Sequence, residues 1–450
     1  MIFELCATIL LIGLILKMTK RPHNFPPGPR GLPLVGYLPF FSSWDPQYPH
    51  KAMKKISEVY GPVVGLYVGP SRPVISVCSH EAMKEAMLND DLNGRPDLAV
   101  MMARTFGEKL GIMFVMGQFW QEQRRFTMRH LRDLGFGKTS IEDQMMDELG
   151  DLIKDIENKS QSDSKRIVDF KGIFQVSVIN ILWAMIAGER FQRSDPKFQQ
   201  LLTANELIFR SGNVVRGSIP IPAFVLKHFR FVRDFIGLKT ELIEPIQKFI
   251  QETIEDHQHR NLTEEDADNF IDVYLKEMNK QKMQMELDQV CGEFFPTLNH
   301  RSSLPYTEAV LMEAQRCSSI APLTVPHYAV KDTTIQGYTI PKDSVVMLNL
   351  DAVFKNPKYW NEPEVFRPER HLNEDGTKVI KNDHFYPFGL GKRLCLGESL
   401  ARNTYFLFTA ALIKKFRCEP VPNGPLPSLA PTNGFTLGYQ GFKAVVTLRS

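Results

Sequence analysis

The stretch Phe388-Gly389-Leu390-Gly391-Lys392-Arg393-Leu394-Cys395-Leu396-Gly397 decides how the rest of this chain is read. Its residue types fit one chemical task, the holding of a cysteine as a thiolate ligand of iron. Backbone N–H groups aimed at a sulfur favour its ionised form, and glycines at 389 and 391 let the backbone come close. A helix starting near Gly397 adds the positive end of its dipole. Phe388 can shield the sulfur from water, and Arg393 can pair with a heme propionate. Gly397 leaves room for a flat porphyrin face. Thiolate ligation pushes electron density onto iron and favours O–O cleavage. A structural cysteine buried in a glycine-rich turn would explain Cys395 by itself. It does not explain five fixed positions within ten residues.

Working outward, residues 398–415 read as a helix, followed by a closing strand pair near 435–448. Residues 63–78 alternate in hydropathy and break at Gly69-Pro70-Ser71, which reads as a β-hairpin. Helical periodicity runs through 81–88, 119–134, 141–157 and 175–186. Strand-like segments return over 318–350, with turns at Gly337-Tyr338 and Pro341-Lys342-Asp343. The expected class is mainly α with small β-sheets, an α+β fold.

The loop matches the F-x-x-G-x-R-x-C-x-G pattern of cytochrome P-450 monooxygenases, and the resemblance extends over nearly the whole chain in the right order. Trp120-Gln121-Glu122-Gln123-Arg124 resembles the W-x-x-x-R of the family's helix C. Glu313-Ala314-Gln315-Arg316 resembles the E-x-x-R of its helix K. Phe366-Arg367-Pro368-Glu369-Arg370 resembles the P-E-R segment that follows. Each also has a plain physical reading. Trp120 and Arg124 are one helical turn apart and share a face, which alone describes an ordinary cation–π pair. Glu313 and Arg316 form an i,i+3 pair of a kind usually solvated. With Arg370 they can build a charge network bracing the cysteine loop. The resemblance implies a heme b with Cys395 as axial ligand. It implies propionates held by Trp120, Arg124, Arg393 and, as a less close match, His327. Phe388, Gly391 and Gly397 would complete the heme-facing loop. It also implies NADPH-derived electrons delivered by a reductase, a cytochrome b-type protein as a second donor, and O2 and a lipophilic molecule as substrates.

Composition agrees. The chain has 450 residues, 43% of them hydrophobic, with 31 Phe and 18 Met, enough to line an apolar cavity. A formal charge of +3 gives no argument for nucleic acid, and no zinc-like spacing occurs. Six scattered cysteines read as reduced thiols facing the cytosol. Residues 1–18 are almost wholly apolar and precede Lys20 and Arg21. They read as an uncleaved single anchor in the endoplasmic reticulum membrane with the body on the cytosolic side. Residues 19–36 form a basic, proline-rich hinge and 37–450 the catalytic domain. Residues 96–119 are apolar and, by resemblance, roof the pocket, with 320–325 and the turn around Phe435 as walls. Arg125, Arg129 and Arg132 form a basic stripe suited to an acidic electron donor.

One family element is missing. Helix I, whose A-G-x-D/E-T-T motif binds oxygen and relays protons, has no counterpart. Ala187-Gly188-Glu189-Arg190 comes too early, and Thr263-Glu264 reads as a cap. Residues 269–280 resemble the lead into helix I, residues 283–292 resemble helix J, and almost nothing separates them. This seam near 280–283 suggests a shortened form of a longer protein. The oxygen-activating acid and alcohol are then absent. A central helix buries on the order of ten apolar side chains at ~1.5–3 kcal/mol each, against a total stability of ~5–15 kcal/mol. Two further readings stay open. One is a catalytically silent variant that binds heme poorly; the other is a heme-thiolate isomerase or dehydratase that starts from peroxides.

Overall fold

The structure is a computed structural model. It describes residues 21–98, 111–133, 142–187, 190–211 and 277–449, apart from positions 34, 70, 71, 194, 293, 423, 426, 427 and 429, with a few single positions between 225 and 248. The apolar segment 1–18, the pocket roof at 99–110, residues 188 and 189, Thr263-Glu264 and the stretch 269–276 lie outside the described residues. Among the described residues no helix is long and apolar enough to cross a membrane. The five described cysteines are free thiols.

The hairpin expected at 63–78 is strand β1 (Val63–Val68) antiparallel to β2 (Arg72–Val77), with Val63 opposite Val77. Strand β7 (Val345–Leu348) joins β2 in parallel, and β4 (His327–Tyr328) closes the sheet in the order β1-β2-β7-β4. The strands are buried on both faces, so their residues divide by alternation into two cores. Val63, Ile75, Val77, Val346 and Leu348 pack with Met83 and Met87 of α3 (His80–Leu88). Val64, Leu66, Val74, Val345 and Met347 pack with Phe41 of α1 (Leu38–Trp44) and with Met53 and Ile56 of α2 (Pro49–Tyr60). The tight turns expected at 337 and 343 are present: Gly337 and Asp343 both take positive φ; the first joins β5 (Thr333–Ile335) to β6 (Tyr338–Ile340) in a hairpin and the second follows it.

The helical lobe holds α4 (Gly117–Asp133), α5 (Glu142–Ser162), α6 (Gln175–Ala187), α7 (Pro196–Ser211), α8 (Glu277–Cys291), α9 (Pro305–Ser318) and, after the short α10 (Leu350–Phe354) that packs in the sheet cores, α11 (Glu398–Lys415). Helix α11 buries Phe406, Leu407, Phe408, Ala410 and Ala411 completely. A helix apolar all round belongs in a core, and residues of α5, α6, α8 and α9 surround it. The expected closing pair inside 435–448 is not formed. Residues 432 and 438 make an isolated bridge. Strand β9 (Lys443–Leu448) pairs instead with β8 (Phe416–Pro420), which continues directly from α11, and with β3 (Ile167–Asp169).

The seam positions 280–283 lie inside the unbroken helix α8. Its C-terminal half is firmly seated. Met283 and Leu287, one turn apart, are fully buried. The Glu286 carboxylate accepts the backbone N–H groups of Tyr306 and Thr307 at 2.8 and 2.7 Å, satisfying orphan donors at the start of α9. Asp288 pairs with Arg449 at 2.6 Å and Lys414 at 3.3 Å.

Glu313 is the electrostatic centre of this lobe. It is fully buried and accepts two bonds from Arg316, both at 2.9 Å. Arg370 reaches it at 3.0 Å, the Arg367 backbone N–H at 3.0 Å, and His371 Nε2 at 3.0 Å. Arg316 uses its remaining donors on the Phe354 and Pro363 carbonyls. Burial alone would raise the Glu313 pKa. The hydrogen bonds from Arg316 and His371 outweigh it and hold the carboxylate down to about 2. The rings of His371 and Trp360 meet Phe385 at 5.4 and 6.5 Å, and the Tyr386 carbonyl accepts Gly389 N–H at 3.0 Å. The charge network expected from Glu313, Arg316 and Arg370 thus forms, gains His371, and abuts the segment leading into the cysteine loop. Removing one member leaves the others as uncompensated buried charge, a loss of about 3–5 kcal/mol. We expect Glu313→Ala to lower unfolding free energy by that amount in urea titration. Because the folded pKa lies below the unfolded value, the wild-type contribution is present above about pH 4.5 and is lost as pH falls toward 2. The variant should show a flatter acid limb, and equal slopes would contradict this role.

Candidate active site

The cysteine loop is shaped by backbone constraints. Gly389 and Gly391 take φ of +80° and +69°. At Gly391 a Cβ would stand 2.5 Å from the Met87 carbonyl oxygen, so the position requires glycine on two counts. A short 3-10 turn follows over Gly391–Arg393. Cys395 N–H then donates to the Phe388 carbonyl at 2.9 Å, closing the loop. The Phe388 ring lies under the Arg402 guanidinium at 5.0 Å. A Cβ on Gly397 would meet only the Cys395 sulfur, at 4.0 Å, so that side of the loop is open.

Cys395 is exposed on its outer side. The loop packed behind it still removes enough water to push the thiol pKa up. The Gly397 N–H and the Arg124 charge act the other way, and Glu398 adds to the rise. With no metal bound, the Gly397 N–H and the Arg124 charge do not outweigh that burial. The acidic residue in the first turn of α11 opposes the dipole, and burial decides the balance. A coordinated cation deprotonates such a thiol outright.

Around this sulfur the structure gathers positive charge. Trp120 and Arg124 share a face of α4, with the Arg124 guanidinium 5.8 Å from the buried indole. Arg393 stacks on the same indole at 3.8 Å and donates to the Asn93 and Val115 carbonyls. Arg124 donates to the Leu394 carbonyl at 3.0 Å. Arg95, which no spacing rule singled out, completes the group. It is buried and donates to the carbonyls of Met113, Gly94 and Pro326, each at 3.2 Å. His327 is buried beside it, with Nδ1 2.9 Å from the Leu92 carbonyl oxygen.

Among the described residues no carboxylate lies within ion-pair distance of Arg95, Arg124 or Arg393, and the cations depress one another. Burial and the nearby Arg393 bring Arg95 down to about 9. Burial and Arg124 bring Arg393 down to about 10. Burial, Arg95 and Arg393 bring His327 down to about 3, against an upward pull from the Leu92 carbonyl. Cations buried, as Arg95 is, or half-buried, as Arg124 and Arg393 are, and held only by neutral carbonyls want an anion. A group carrying two carboxylates and a metal for a thiol satisfies both halves of this donor set, and heme fits. Arg125 and Arg129 are exposed farther along α4, on the outside of the molecule.

Comparison with known proteins agrees with this geometry. The model of the cytochrome P450 family matches residues 26–283 and 279–446. The chain is 32% identical to cytochrome P450 2B2 of Rattus norvegicus, over 90% of this chain and 91% of that protein. It is 29% identical to farnesoate epoxidase of Bombyx mori, over 98% of each. It is 31% identical to cytochrome P450 2J3 of Rattus norvegicus, over 93% and 90%. Members of this family are monooxygenases that carry heme on a cysteine thiolate and take NADPH-derived electrons through a reductase. A thiol in a glycine-bent loop, an unanswered cluster of guanidinium groups beside it and a match along nearly its whole length make this chain a member of the cytochrome P450 family.

Proposed function

We propose that Cys395 is the axial ligand of heme b in this chain and that Arg95, Trp120, Arg124, Arg393 and His327 hold its propionates. The observation that carries this reading is the cluster of one buried and two half-buried guanidinium groups, Arg95, Arg124 and Arg393, with no carboxylate among the described residues to balance them. When bound, heme supplies the centre at which O2 is reduced and one oxygen atom is passed to a substrate. The protein's own residues bind and orient it. The guanidinium groups fix its acidic edge, Trp120 holds Arg393 in place, and Phe388 and Gly397 set the loop against its face. The Glu313 network keeps that loop rigid.

The substrate is a lipophilic small molecule, in keeping with the apolar stretch 96–119; the Bombyx mori relative is named for epoxidising farnesoate. The exposed Arg125 and Arg129 suit docking of NADPH–cytochrome P-450 reductase or of a cytochrome b-type donor. Residues 1–18 anchor the chain in the endoplasmic reticulum membrane, 19–36 form the hinge, and 37–450 form the catalytic domain facing the cytosol.

This chain performs the family reaction poorly because helix I is missing at 280–283. Two findings support the seam. The family model matches in two stretches that meet at residues 279–283. The alignment with the Bombyx mori relative runs to 494 positions, more than the 450 residues available here, so the relative carries residues with no partner in this chain. The acid and alcohol that the resemblance assigns to proton delivery on that helix would then be lacking in this chain.

The test is coupling. With reductase, NADPH and a lipophilic substrate, we expect NADPH consumption to yield hydrogen peroxide in large excess over oxygenated product. Insertion of a helix I segment at the seam should reverse that ratio, and an already coupled reaction in the chain as it stands would overturn the seam reading. At the loop, Gly391→Ala brings a Cβ against the Met87 carbonyl and strains a left-handed residue by about 1–2 kcal/mol. We expect it to lower heme content per protein by severalfold in a pyridine hemochrome assay.

A further inference from the structure

We propose that loading this site with its dicarboxylate group is coupled to the uptake of one proton by His327. The inference rests on the heme-site reading above and deepens it.

The geometry is specific. His327 is on β4, buried to 3% exposure, with Nδ1 2.9 Å from the Leu92 carbonyl oxygen. A carbonyl only accepts, so Nδ1 carries the hydrogen of the neutral ring. Nε2 is then a bare lone pair. It can accept a hydrogen bond, but it cannot donate one to a carboxylate. The charged groups facing the ring are Arg95, from the loop after α3, and Arg393, from the cysteine loop. Both are cations, and burial acts in the same direction. The ring is therefore neutral before loading.

A carboxylate arriving between Arg95, Arg393 and His327 opposes these influences. It sets one negative charge against the two guanidinium charges and presents an acceptor to Nε2. Two lone pairs facing each other repel, whereas an imidazolium N–H pointing at a carboxylate attracts. The ring takes a proton from water, forming one N–H bond at Nε2 and releasing hydroxide. No electron moves. Binding then depends on pH. Between the free and loaded pKa values of His327, each unit rise in pH weakens binding tenfold, the signature of one proton taken up. The guanidinium groups stay charged throughout and give no such slope.

Metal-free protoporphyrin IX tests this cleanly, because it brings two propionates without an iron to remove the Cys395 proton. The full chain is titrated with it near neutral pH, followed by porphyrin absorbance and by proton uptake in a weakly buffered indicator solution. We expect uptake of close to one proton per porphyrin bound. Protoporphyrin dimethyl ester, which has no carboxylate, should bind with no uptake. His327→Gln replaces the titrating donor with a permanent amide N–H. It should bind the free acid, take up no proton and lose the tenfold pH slope. Binding of the free acid with no proton uptake, or uptake unchanged in His327→Gln, would overturn the proposal while leaving the heme-site reading intact. No binding of the free acid at all would overturn both.

Discussion

Unanswered positive charge is the constraint around which this molecule is arranged. Arg95, Arg124 and Arg393 converge beside Cys395 and spend their described hydrogen bonds on main-chain carbonyls. Neutral acceptors satisfy the geometry of a guanidinium without cancelling its charge. Such a cluster is costly in isolation and favourable once an anion arrives. Arg95 and Arg393 depress the pKa of His327, and Arg124 opposes the burial that raises the Cys395 thiol. The site is thus built for a ligand that is anionic at one edge and electrophilic at its centre.

Holding like charges together requires a rigid frame, and Glu313 provides it on the opposite side of the loop. It ties α9 to the turn at residues 367–371 through Arg316, Arg370 and His371. His371 in turn packs on Phe385, at the entry to the cysteine loop. Beneath them α11 fills the core and begins immediately after Gly397. Loop, brace and core helix are therefore one mechanical unit. Helix α8 is fastened to the same unit by Glu286, Asp288, Met283 and Leu287.

Most of this arrangement was legible in the amino-acid sequence, because its chemistry is written in short local patterns. The cysteine loop, the Trp120–Arg124 turn and the Glu313–Arg316 pair each occupy fewer than a dozen residues, and the structure brings them together as their order implies. What was not legible is non-local. Arg95 is a lone arginine between Gly94 and Pro96, with no periodicity to mark it. Only its tertiary placement beside Arg393 reveals a role. His371 follows Arg370 directly and could have been suspected from that adjacency. The pairing of β9 with β8 rather than with residues near 435 was hidden because alternation identifies a strand but not its partner.

The most direct test of the central claim, that Cys395 ligates iron as a thiolate, is the difference spectrum of the expressed chain reduced and treated with carbon monoxide. The account predicts a strongly red-shifted Soret band in the wild-type chain and its loss in Cys395→His, with heme still bound. A red-shifted band that survives in Cys395→His, or a wild-type chain that retains heme without that band, would contradict it.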